Sequence, residues 1–136
     1  GIVYWRMGDY RKSAEMTEAA WHRKRAVFGP DHFGTQSSLR NLALAYSAMG
    51  DHTAAENAFI EALDSLHRTF GNAPHPDRAY YYGQLALTHF WQNELTAARR
   101  ALENGLREVS ALSDSDDSSR AWLLKIDALL DLEEGQ

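Results

Sequence analysis

The chain has 136 residues, and its six histidines have the widest chemical reach, because imidazole can ligate a metal or move a proton near neutral pH. Their spacing argues against both roles. His32 and His75 hold equivalent positions in two similar turns, so they belong to neighbouring turns rather than to one convergent site. A packing or capping role is expected for each. His89 stands at a core position of the repeat described below. His22, His52 and His67 have no ligand partner at a metal-like spacing, and zinc needs several ligands converging on one point. Cysteine is absent, which excludes disulfides, thiolate ligands and Cys nucleophiles. No nucleophile elbow, Gly-rich phosphate loop or pair of motif carboxylates stands apart. The sequence therefore reads as a non-catalytic protein with no metal and no cofactor.

Charge narrows the partners. Fourteen Lys and Arg face nineteen Asp and Glu, a net charge of −5. That balance excludes a broadly basic nucleic-acid binder. The one basic cluster, His22-Arg23-Lys24-Arg25, reads as a solvated helix face. From Ser113 onward seven acids meet two bases, so the remainder sums to zero. The Ser/Asp-rich stretch 113–119 reads as a polar linker. No apolar run approaches a membrane span, and Gly1–Arg6 lack the plan of a signal peptide. A cytoplasmic location is the expectation.

What positions these residues is a repeat. Gly8, Gly50, Asn93 and Gly135 follow one another at spacings of 42, 43 and 42. A second marker moves in step: Gly29-Pro30-Asp31-His32 recurs as Gly71-Asn72-Ala73-Pro74-His75-Pro76-Asp77, which carries the extra residue. A third is Ala20, Ala62 and Gly105. Between markers the apolar period is helical: Leu39, Leu42, Ala43, Tyr46 and Met49, then Ala55, Ala58, Phe59, Ala62 and Leu66. Gly and Asn suit the left-handed residue that closes a helix, and Asp9 and Asp51 suit the cap of the next one. Helices are expected over 1–7, 10–28, 33–49, 52–70, 76–92, 95–112 and 119–133. Gly105, inside a helix, is expected to make room for a neighbouring side chain.

Leu42, Ala43, Tyr46, Gly50, Ala55, Phe59 and Ala62 together resemble the tetratricopeptide repeat pattern. The 42-residue period and the Gly-Pro-Asp-His turn are similar to the kinesin-light-chain subtype of that family. The resemblance implies an all-α, right-handed superhelical array of antiparallel helix pairs (a TPR solenoid). About three repeats would fill 1–112, with an incomplete first one, followed by the linker 113–119. A capping helix, or the first helix of a further repeat, would fill 120–136. Departures are Ser13 and Thr17 in the first unit, His89 and Asn93 in the third, and Asp127 and Asp131 at core positions of the last helix.

In such arrays the first helix of each pair lines a concave groove. The resemblance places Trp5 and Arg6 there, then Ser37, Arg40, Asn41, Leu44 and Ser47, then Tyr80, Gly83, Gln84, Leu87, Phe90 and Trp91. Trp122, Lys125 and Leu129 would follow. Aromatic side chains give contact area at low entropic cost, and Arg pairs with carboxylates. The expected partner is thus a protein or peptide segment with an apolar anchor and flanking acids, held by an adaptor or regulatory module. Trp5, Phe90 and Trp91 equally suit packing between units. A second reading is a structural element that self-associates as a homo-oligomer through exposed terminal helices. Neither nucleic acid nor membrane is an expected partner.

Overall fold

The computed structural model describes the backbone of residues 2–112 and 117–135, and the side chains of 9–112 and 118–135. Among the described residues there are six helices and no strand. They are α1 (Ile2–Phe28), α2 (Phe33–Met49), α3 (His52–Phe70), α4 (Pro76–Trp91), α5 (Leu95–Ala111) and α6 (Asp117–Glu134). The chain divides into two compact units, Gly1–Thr69 and Phe70–Gln136. No described helix is long and apolar enough to cross a membrane.

Two helix ends follow one recipe. At Gly50 (φ 81°) the amide donates to the Ser47 carbonyl, and the Asp51 amide donates to the Tyr46 carbonyl. At Asn93 (φ 62°) the same two bonds run to Phe90 and His89. These are the paired bonds of the Schellman closure, which needs a left-handed residue and so favours Gly, then Asn. The Asp51 carboxylate then accepts from the Ala54 amide at the start of α3. The marker at Gly8 behaves differently. The helices expected over 1–7 and 10–28 are one continuous α1, so neither a Gly8 closure nor an Asp9 cap exists. The backbone stays helical through both residues, so this marker does not end a helix.

The two turns marked by histidine are helix caps. The Gly34 amide donates to Nδ1 of His32, and the Asp77 amide donates to Nδ1 of His75, both at 3.0 Å. Each ring rests on the phenylalanine that ends the preceding helix. The centroids lie 4.6 Å apart for Phe28–His32 and 4.5 Å for Phe70–His75. Replacing either histidine by alanine is expected to cost about 1 kcal/mol, the usual worth of an N-cap. Chemical denaturation checks this, and no loss at either site would contradict it.

In unit 1 the core joins Ala14 of α1 to Leu42 and Ala45 of α2, with Trp21, Tyr46 and Met49 packed against it. In unit 2, α4 packs on α5, and α6 packs on both. The α6 residues that bury are Leu123, Ile126 and Leu130. Ala128, in register with the earlier repeats, is exposed. Asp127 and Asp131 do not occupy core positions either: both lie at the edge of that packing face and bond to Arg99 of α5. Of the expected linker, residues 113–116 lie outside the described residues, and 117–119 form the first turn of α6.

Candidate functional site

The best-defined surface in unit 2 is built by α4 and α6. Tyr80 stacks on Trp122, with ring centroids 5.7 Å apart and planes inclined by 22°. Gly83, one turn on, is what lets the indole settle. A Cβ there would stand 2.3 Å and 2.5 Å from two Trp122 ring carbons. Gly83 therefore forms the floor under the indole instead of lining an open groove. Gly105 of α5 plays a related part, since a Cβ there would stand 3.3 Å from both Leu123 and Tyr82. Both rings of the stack stay half-exposed. Gln84 and Leu87 continue the same face of α4, also half-exposed, and Lys125 is exposed one turn beyond Trp122. The structure thus brings Tyr80, Trp122 and their helical neighbours into one surface: flat aromatic area, an amide and a cation.

Phe90 and Trp91 end α4. Their rings meet edge to face at 5.2 Å. Phe90 is half-buried, whereas Trp91 is 66% exposed. His89, expected as a core substitute, is half-buried and holds the Glu94 carboxylate at 3.0 Å.

In unit 1, α2 carries the remaining residues. Helical spacing sets Ser37, Arg40, Asn41, Leu44 and Ser47 on one side, and their exposure agrees. Asn41 and Leu44 are exposed, while Ser37, Arg40 and Ser47 are half-exposed. The opposite side, with Leu39, Leu42 and Ala43, is buried. The side chains of Trp5 and Arg6 lie outside the described residues.

Ion pairs fix the frame behind these faces. In unit 1 the turn residue Asp31 accepts hydrogen bonds from Ser65 at 2.7 Å and from Arg68 at 2.8 Å. The bond from Arg68, then that from Ser65, hold its carboxyl below the ordinary value of 3.8. In unit 2 the pairing is reversed in sense. Arg78, buried, donates to the carbonyls of Gly71 and Ala73 and to Glu108 of α5. Arg99 of α5 gathers Asp127, Asp131 and Glu134 of α6. Partial burial works against its charge, but hydrogen bonds to Glu134, Asp127 and Asp131 outweigh that and raise its pKa further above the ordinary range.

The Asp31 contact gives a pH prediction. A carboxyl with a depressed folded pKa stabilises the fold above its unfolded value and loses that contribution as pH falls through the folded pKa. The difference in melting temperature between the native chain and Asp31→Asn is expected to be constant above about pH 5. It should shrink as the pH drops below 3.8. A difference independent of pH across that window would contradict the assignment.

Among the described residues no three His, Asp or Glu side chains are grouped so as to hold a metal ion. A family model described as tetratricopeptide repeat matches residues 1–68, half of the chain. No curated protein matches the sequence.

Proposed function

Because the chain belongs to the tetratricopeptide repeat family, whose members are protein-interaction modules, we propose that each of its first-helix faces binds a partner segment. These are the α2 face in unit 1 and the α4–α6 face in unit 2. The segment carries an apolar or aromatic anchor with flanking acids, and the chain serves as an adaptor or regulatory part. The observation that carries this reading is the half-exposed Tyr80–Trp122 stack with Lys125 on the next turn. Stacked rings left in solvent offer a preformed platform, and aromatic platforms are where binding energy concentrates. Arg40 and Asn41 add a guanidinium for carboxylate and an amide for peptide backbone. The 42-residue period and the Gly-Pro-Asp-His turn support the kinesin-light-chain-like subtype, in which an Asn at the position of Asn41 holds bound peptide.

The test is calorimetric titration with a capped peptide holding one tryptophan between aspartates. Arg40→Ala combined with Asn41→Ala is expected to weaken binding roughly tenfold or more, since a charge-assisted hydrogen bond contributes about 1.5–3 kcal/mol. Unchanged affinity in a folded variant would reject these two residues.

A second reading has its own observation. Leu124, Leu129 and Leu132 of α6 are exposed, the last at 67%, and Met16 and Val27 of α1 are exposed too. Apolar side chains gathered at helix surfaces favour association. If self-association is the function, Leu132→Glu should abolish it and leave peptide binding intact.

A further inference from the structure

Unit 1 holds a cavity of about 220 Å³ that the peptide-binding faces do not use. It opens between α1 and α3. Trp21 forms one wall and Ala58 the other, and Leu42 and Tyr46 of α2 form the floor. On α2, Leu42 and Tyr46 lie opposite Arg40, Asn41 and Leu44, so this cavity faces away from the α2 surface described above. Its interior is apolar, and its mouth carries Asn57 and Glu61. An apolar cavity of about 150 Å³ already takes a benzene ring, so there is room here for a leucine or phenylalanine side chain.

The charges at the mouth state what should accompany that side chain. Glu61 stands 3.8 Å from Arg25. Glu18 is hydrogen-bonded to the Tyr46 phenol and also lies 3.7 Å from His22. Burial, then the Glu18 carboxylate, raise the Tyr46 phenol above its ordinary value, so it stays protonated and donates to Glu18. Glu61 thus lines the mouth itself, Glu18 is held beside it through the lining Tyr46, and Arg25 reaches Glu61 from outside the lining. The chain's own Arg25 shows what the surface favours, since its guanidinium lies 5.4 Å from the Trp21 ring centroid. A cation over an indole and beside a carboxylate gains from both.

We propose that this cavity is a second docking site, taking an apolar side chain of a partner protein that is followed by a lysine or arginine. The apolar side chain fills the space between Trp21 and Ala58, and the following cation meets Glu61 at the mouth. The site's charge preference is thus opposite to that of the first-helix faces, so one module could hold an acidic and a basic segment at once.

Two capped pentapeptides test it, one with leucine followed by lysine and one with glutamate in place of the lysine. Amide and indole nitrogen–proton spectra of the whole chain report the site. The lysine peptide is expected to move the Trp21 indole and the Asn57 and Ala58 amides, and to bind at least about fivefold more tightly than the glutamate peptide, a modest ion-pair effect. Glu61→Gln should narrow that ratio. Asn57→Trp, at an exposed position, should block the mouth and remove the shifts without loss of melting temperature. No movement at Trp21 and Ala58, equal response to both peptides, or shifts that survive Asn57→Trp would each overturn the proposal. So would shifts confined to Arg40, Asn41 or Tyr80, which would assign the basic peptide to the first-helix faces instead.

Discussion

Replacing Gly83 by valine is expected to destabilise the chain by about 1–4 kcal/mol and to move Trp122 into water. A Cβ at this position meets two carbons of the indole at 2.3 and 2.5 Å, so the ring must leave. Overpacking of this kind costs about 1–3 kcal/mol. The lost stack on Tyr80 adds about 0.5–1.5 kcal/mol. Valine's better helix propensity returns only about 0.4 kcal/mol. Chemical denaturation gives the energy, and a red shift in tryptophan emission reports the displaced ring. Two comparisons sharpen the test. Gly105→Ala should be close to neutral, because its Cβ would lie 3.3 Å from Leu123 and Tyr82, a squeeze offset by helix propensity. Adding Trp122→Ala to Gly83→Val should cost less than the sum of the two single changes, since each removes the same contact. Strict additivity would mean that the indole does not rest on Gly83.

Replacing Arg99 by methionine is the second large effect. It keeps much of the stem and removes the charge that joins Asp127, Asp131 and Glu134. Three carboxylates then share one face of α6 with no cation among them. Exposed pairs contribute little singly, but the Arg99 side chain is only 24% exposed and serves three acids. A loss of roughly 1–3 kcal/mol is expected. The loss should narrow at high salt, where mutual repulsion of the acids is screened. Thermal melts at low and high ionic strength check both statements. A variant that melts with the native chain at low salt would show that the cluster does not hold α6.

How far the sequence reveals this architecture depends on whether a residue acts locally. Gly50 and Asn93 close helices through bonds within six residues, so spacing alone exposes them. His32 and His75 cap their own helices, and their recurrence marks them. Gly8 carries the same signal and fails, because a left-handed closure stands only where a second helix folds back, and α1 runs straight through it. The register of α6 was equally illegible. Ala128 and Gly135 keep the repeat spacing, yet Leu123, Ile126 and Leu130 bury, with Arg99 on another helix drawing the acids to the edge. The site divides the same way. The resemblance puts Tyr80, Gln84, Leu87, Trp122 and Lys125 on first helices, and the structure shows these five on α4 and α6, half-exposed or exposed. That Gly83 is a seat for Trp122 depends on two helices meeting and has no local signature. Nor did the cavity beside Trp21, whose only hint is a bulky ring on α1 facing small Ala54 and Ala58 on α3.

In the proposed function the first-helix faces receive an acidic, aromatic segment. Mapping nitrogen–proton shifts while titrating the capped aspartate–tryptophan peptide tests it most directly. Movement is expected at Arg40, Asn41 and Leu44 in unit 1 and at Tyr80, Gln84 and Lys125 in unit 2, with the Asn57 and Ala58 amides still. Shifts confined to the exposed sides of α3 and α5, or none at millimolar peptide, would contradict it.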